Sequence, residues 1–253
     1  MSHLSDIGFP VESREAFQSL AKSVYNKGNL IDSANGHYVK FTDERSCAEL
    51  WLQFNKQWEF MGMNPHYAGM TKMTVCLTDR MKKAQNAMDG AFRCWANPTP
   101  ENQPESGAYP FVFDLPDFCT LPHFNLPALV DIQLTAFAYE MSCFDNEAEF
   151  NDTQDSELKY ASESFIPIGL FNADENPTEQ AFGFFAARVL NVADKVNELT
   201  GEQFLWLDVK TLGCEMDVVC DYKLLNKMPQ VGGIIQGQFW LSGRITPPNP
   251  PLS

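Results

Sequence analysis

The chain has 253 residues, of which 44% are hydrophobic and 20% charged, so it can bury a substantial core and is not a disordered chain. Its net charge of -15 works against binding nucleic-acid phosphates or an anionic membrane. No run approaches the roughly 18 apolar residues that would span a bilayer.

The start, MSHLSDIGF, lacks the basic and apolar regions of a signal peptide. Residues 5 to 11 read as a strand. SREAFQSLAKSVYN (13–26) reads as a helix, with Ser13 as N-cap, Phe17, Leu20, Ala21 and Val24 at helical spacing, and Gly28 as the stop. HYVKFTD (37–43) and CAELWLQF (47–54) alternate and predict a hairpin turning at 43–46. Residues 55–70 read as a loop and boundary. MTKMTVCLTD (70–79) reads as a strand, RMKKAQNAM (80–88) as a short helix, AFRCWAN (91–97) as a strand and 98–107 as a polar loop. Prolines at 110, 116, 122 and 127 exclude regular helix and leave FVFDL as the one strand there. ALVDIQLTAFAYEMSCF (128–144) predicts a long strand, and 146–164 an exposed loop. The segments 164–171, 181–196, 202–225 and 232–245 all read as strands. NELTG (197–201) is a turn, and bends are expected at Gly183, Gly213 and Gly237.

The expected architecture is α+β and mostly antiparallel β. A small β-α-β-β unit (1–68) packs on a larger curved sheet or partly open barrel (69–246), followed by a Pro-rich tail (247–253) that is extended or disordered.

Charge is segregated along the chain. Residues 101–180 hold 16 Asp and Glu against one base, Lys159, which accounts for the whole imbalance. Such a surface suits a basic protein partner, a cationic ligand or a divalent ion. The seven cysteines are odd in number and form no CxxC pair, which points to free thiols in a cytoplasmic, reducing setting.

DIGFPVESREAFQSL, GHYVKFTD and AELWLQF, within residues 5–54, resemble one β-α-β-β half-module of the vicinal oxygen chelate (glyoxalase-like) superfamily. Members of that superfamily pair such modules and bind a divalent metal through His and Glu. The resemblance puts the first ligand position on Asp6, where a His is usual, with His3 just outside it and Glu49 a candidate for the last. No second half-module follows, so the resemblance implies a scaffold.

Other constellations are sparse. The histidines His3, His37, His66 and His123 have no i,i+2 or i,i+4 pairing, and Pro122 breaks the Cys119–His123 spacing. No GxSxG or phosphate-binding glycine loop occurs. In EMDVVCD the strand period puts Glu215, Asp217 and Asp221 on one face, with Asp208 on the neighbouring arm, as candidate cation ligands. The competing reading makes this the solvent face of a strand whose Met216, Val218 and Cys220 point inward. DNEAEFNDTQDSE (145–157) is oxygen-rich but lacks the central Gly of a calcium loop. In QFWLSGRI the same period aligns Gln238, Trp240, Ser242 and Arg244, a row that suits a binding surface. NPHYAG reads as a turn that brings His66 and Tyr67 to a rim.

These features predict a non-catalytic cytoplasmic binding protein that engages a basic partner with its acidic segment and needs no cofactor. The alternatives are a small-molecule-binding protein or metal-assisted enzyme, using a divalent cation in a pocket between the two units, and an assembly subunit with exposed strand edges.

Overall fold

A computed structural model describes residues 3–99, 103–155, 159–168, 170 and 180–246; the Pro-rich tail lies outside them. The protein is α+β and mostly β, with a four-stranded antiparallel sheet and a nine-stranded mixed, curved sheet.

The helix forms where the apolar spacing predicts it. Helix α1 spans Arg14–Lys27, and the Ser13 hydroxyl accepts from the amide of Ala16 at 3.0 Å. Phe17, Leu20, Ala21 and Val24 pack against the sheet. Gly28 ends it for a reason other than a left-handed cap: its φ is -84°, and a Cβ there would lie 2.6 Å from a Val39 methyl.

The four strands that follow are β1 (Asn29–Ser33), β2 (Gly36–Thr42), β3 (Ala48–Asn55) and β4 (Phe60–Tyr67), paired in that order. The predicted β2–β3 hairpin is present, and Asp43 accepts from the Arg45 and Ser46 amides and the Ser46 hydroxyl. Strand β4 replaces the loop expected there. Its Gly, Asn and Pro read as turn residues, but β4 pairs only with β3, and an edge tolerates Pro65.

The strand expected at 5–11 is instead a 3-10 turn at Ser5–Ile7 followed by irregular chain. Ile7 and Phe9 are buried as a strand pattern would have them. Their backbone acceptors are taken by side chains, however: Asn197 donates to the Ile7 carbonyl at 2.9 Å and Thr200 to the Gly8 carbonyl at 2.6 Å. The first unit therefore runs helix-then-four-strands rather than β-α-β-β.

The larger sheet contains β5 (Met73–Lys82), β6 (Gly90–Ala96), β7 (Pro110–Leu115), β8 (Ala128–Phe144), β9 (Ser164–Ile168), β10 (Phe182–Val196), β11 (Gln203–Thr211), β12 (Cys214–Cys220) and β13 (Ile234–Ile245). The helix expected at 80–88 is not formed. Strand β5 runs through Lys82, and the Arg80 guanidinium donates to the carbonyls of Phe118, Leu121 and Pro122. The loop expected at 146–164 contains a short helix, α2 (Glu147–Asp152), capped by Asn146, with Phe150 buried beneath it.

The long antiparallel pair β8–β13 is the spine. Along one edge β8 pairs first with β5 and then with β12, while β13 pairs with β10 and touches β7. Two five-strand circuits result, β8-β5-β6-β7-β13 and β8-β12-β11-β10-β13, sharing the spine. One continuous core fills both, with Phe92, Phe111, Phe113, Phe185 and Phe239 fully buried. Gly237 lets the spine close, because a Cβ there would lie 2.0 Å from the Glu140 carbonyl oxygen next to a register shift. Gly213, at φ 75°, makes the β11–β12 turn.

Candidate functional site

The four-stranded sheet sits on the spine, and polar side chains meet in the seam between them. The period of β13 does align Trp240, Ser242 and Arg244, but the row is largely covered. The Trp240 indole donates to Asp114 at 2.8 Å and stacks with the His3 ring at 5.2 Å. The Ser242 hydroxyl lies 2.9 Å from His66 Nδ1. The Arg244 guanidinium donates to Asp117 at 3.1 Å, lies 3.9 Å from Glu49 and covers the Trp51 ring.

Glu49 anchors this seam from β3. It is 1% exposed, bonds Lys40 at 2.5 Å, and accepts from the Trp51 indole at 3.0 Å and the Thr42 hydroxyl at 3.4 Å. Burial alone would raise its carboxyl, but the His66, Lys40 and Arg244 charges and the Lys40 hydrogen bond together hold it below its ordinary value. Lys40 and Arg244 are the standing partners at neutral pH, because His66 is uncharged there.

His66 and Tyr67 lie within β4 rather than on a rim turn: they are 0% and 2% exposed. The β4 edge is pressed onto the spine, where the Tyr67 carbonyl accepts from Thr135 at 3.0 Å. Burial pushes the His66 imidazole down to about 4; Glu49 opposes this and the Arg244 charge adds to it. Among the described residues His66 Nε2 has no partner in hydrogen-bond geometry, although the Gln133 amide is its polar neighbour.

Ser242, His66 and Glu49 have the composition of a nucleophile–base–acid set. Ser242 is 1% exposed and His66 0%, and the oxygens of Glu49 are held by Lys40, Trp51 and Thr42.

A pH dependence follows. The folded value near 4 lies below the unfolded value of about 6.5. As pH falls, the unfolded chain takes up the imidazole proton first, and the folded state loses about 2 kcal/mol between pH 7 and pH 5. Burial raises Asp6, Asp114 and Asp117, and these act in the opposite sense: they add stability as pH falls through their folded values. Urea unfolding at the two pH values isolates the histidine. His66→Gln should remove about 2 kcal/mol of the wild-type decline, and an equal decline in both proteins would show that His66 is not buried as the neutral form.

The carboxylates of β11 and β12 part company. Met216, Val218 and Cys220 do point into the core. The opposite face is closed to solvent at Asp217, which is fully buried under the chain that links the two sheets. It accepts from the Thr71 hydroxyl at 2.5 Å, the Trp206 indole at 2.8 Å and the Gln133 amide at 3.3 Å. Asp208 faces Asp217 across the ladder and accepts from Asn191 at 3.0 Å, while Glu215 is exposed. Asp221 lies beyond the strand end, where its amide donates to Asp6 at 3.0 Å. Among the described residues no group of three or more His, Cys, Asp or Glu converges as a metal site.

No protein-family model matches this chain, and no match was found among curated proteins or solved structures.

One cavity brings together residues that the sequence separates. A space of about 260 Å³ lies between the N-terminal segment and the spine, lined by His3, Asp6, Glu12, Tyr139, Asp221 and Lys223 among others. The His3 ring nitrogen is 3.1 Å from Asp6, which is 2% exposed. Burial raises the Asp6 carboxyl, with the His3 contact opposing it. Lys223 reaches Glu12 only at 4.0 Å. Glu140, beside Tyr139, is exposed and carries no ion pair among the described residues. Sequence reasoning placed His3 and Asp6 near each other through the superfamily resemblance and Asp221 through strand period; their meeting depends on the N-terminal segment packing against the chain just after β12. Lys40, Trp51 and Asp117 were missed. The one available signal was Trp51 between Glu49 and Gln53, on the otherwise polar face of β3.

Proposed function

We propose that this protein is a non-catalytic cytoplasmic binding protein that engages a basic protein partner, and that the cavity under the N-terminal segment receives a lysine or arginine side chain of that partner. The observation that carries the reading is the excess of carboxylates around the cavity: Asp6, Glu12 and Asp221 face one lysine, Lys223, with the His3 ring against Asp6. At about 260 Å³ the space falls below the ~300–1,000 Å³ of sites for whole organic ligands and suits one long side chain. The net charge of -15 favours steering of a cationic partner. All seven cysteines are free thiols, which supports a reducing compartment.

Much of the acidic segment is engaged within the fold. Lys227 holds Asp145 and Glu149, Arg188 holds Glu147 and Glu163, and Lys83 holds Asp114. The proposed contact therefore centres on the cavity and on Glu140 rather than on the whole of 101–180.

Calorimetric titration with a hexalysine peptide tests the reading. Glu12→Gln combined with Asp221→Asn should weaken binding about tenfold, or about 1.4 kcal/mol, whereas Glu215→Gln, away from the cavity, should change it little. Equal weakening by the two proteins would reduce the interaction to bulk charge and overturn the proposal, as would absence of binding at low salt.

A further inference from the structure

The five indoles of this chain are treated unequally by the fold. Trp51 lies between Lys40 at 5.2 Å and Arg244 at 5.1 Å from its ring centre. Trp206 carries Lys195 at 5.2 Å. Trp58 stacks on His37 at 4.0 Å, and Trp240 on His3 at 5.2 Å. Each of these four faces a cationic or imidazole side chain, and three of them donate their N–H to a carboxylate.

Trp95 has neither. It stands on the outer face of β6, half-buried, with no ring, cation or hydrogen-bond partner for its indole among the described residues. It also lines a cavity of about 490 Å³, with Pro110 and Leu170 as apolar walls and Asp79, Arg93 and Glu105 as charged ones. Asp79 lies 3.4 Å from Arg93. Glu105 is exposed and has no ion pair among the described residues. The volume is within the range of sites that take a whole organic ligand. An aromatic face attracts a cation through its quadrupole, and tryptophan does so best. A chain of net charge -15 disfavours an anionic guest.

We propose that the Trp95 cavity binds a small organic ammonium ion, with the cation over the indole face, Glu105 as its counter-charge, and Pro110 and Leu170 against its alkyl groups. The site is separate from the cavity under the N-terminal segment and does not depend on the reading given to it.

Choline is the probe, and its uncharged isostere 3,3-dimethylbutan-1-ol is the control, both titrated calorimetrically into the full chain at constant ionic strength. Choline should bind about tenfold more tightly than the alcohol. Trp95→Ala should lose about tenfold in choline affinity and Glu105→Gln a smaller factor. Trp95→Phe, which keeps an aromatic face, should retain part of the affinity and guards against a loss of folding, monitored by the melting midpoint. Three results would each overturn the proposal: no choline binding by the wild type, equal binding of the neutral isostere, or unchanged affinity in a folded Trp95→Ala protein. A hexalysine peptide that binds through Trp95 where choline does not would overturn it as well, by assigning the face to a polypeptide.

Discussion

Glu49→Ala should destabilise the protein by about 3–5 kcal/mol, the range for removing one member of a buried charge cluster. The carboxylate is 1% exposed and serves Lys40, the Trp51 indole and Thr42, with Arg244 nearby. Arg244 keeps Asp117 at 3.1 Å, so the larger deficit falls on Lys40 and on the Trp51 N–H, which loses its acceptor within the seam. At about 2–4 °C per kcal/mol for a chain of this size, the melting midpoint should fall by about 10 °C. Burial of an ion pair need not be favourable in itself, and replacing both partners separates the two effects. Lys40→Met with Glu49→Met should recover the part of the loss that falls on Lys40 and leave the part that falls on the Trp51 N–H. If Glu49→Ala costs less than about 1 kcal/mol, water reaches the seam and the two sheets are held by apolar contacts alone.

Gly69→Ala is the second large effect. No left-handed backbone is involved; the difficulty is space. A Cβ on Gly69 would lie 1.9 Å from one Asp217 carboxylate oxygen and 2.2 Å from its carbon. Asp217 cannot retreat without releasing Thr71, Trp206 and Gln133. The expected cost is about 3 kcal/mol, combining overpacking with loss of hydrogen bonds to a charged group. Asp217→Ala should cost a similar amount by leaving those donors unpaired. The two changes should be strongly non-additive, because the double variant removes the carboxylate that the new methyl strikes. Urea unfolding of the two single variants and the double variant measures the coupling. Simple additivity would mean that Gly69 and Asp217 are not in contact.

Both predictions lie in the seam, where the sequence was least legible. Local signals identified the helix from Ser13 and its apolar spacing, the hairpin around Asp43, the long alternating strands of the spine, and the inward set Met216, Val218 and Cys220. Each depends on neighbours a few residues apart, and backbone geometry enforces it wherever the chain goes. Strand β4 was misread because Gly62, Asn64 and Pro65 are turn residues by propensity, while edge pairing with β3 and burial on the spine outweigh propensity. The segment at Ser5–Ile7 was misread in the opposite direction. Its apolar alternation is real, but its partners are the side chains of Asn197 and Thr200, about 190 residues away.

The sequence by itself determined a β-rich α+β chain with one capped helix and a strong negative charge, because these follow from composition and local periodicity. Only the tertiary structure decided which polar residues are exposed and which are sealed. Period two assigns Asp217, Ser242 and Glu49 to a strand face, but whether that face meets water or a second sheet depends on packing across the whole chain. Here the opposite sheet covers Ser242 and Glu49, and the linking chain at Gly69 and Thr71 covers Asp217. The same packing joins His3, Asp6 and Asp221 in one cavity and leaves the Trp95 indole without a partner among the described residues.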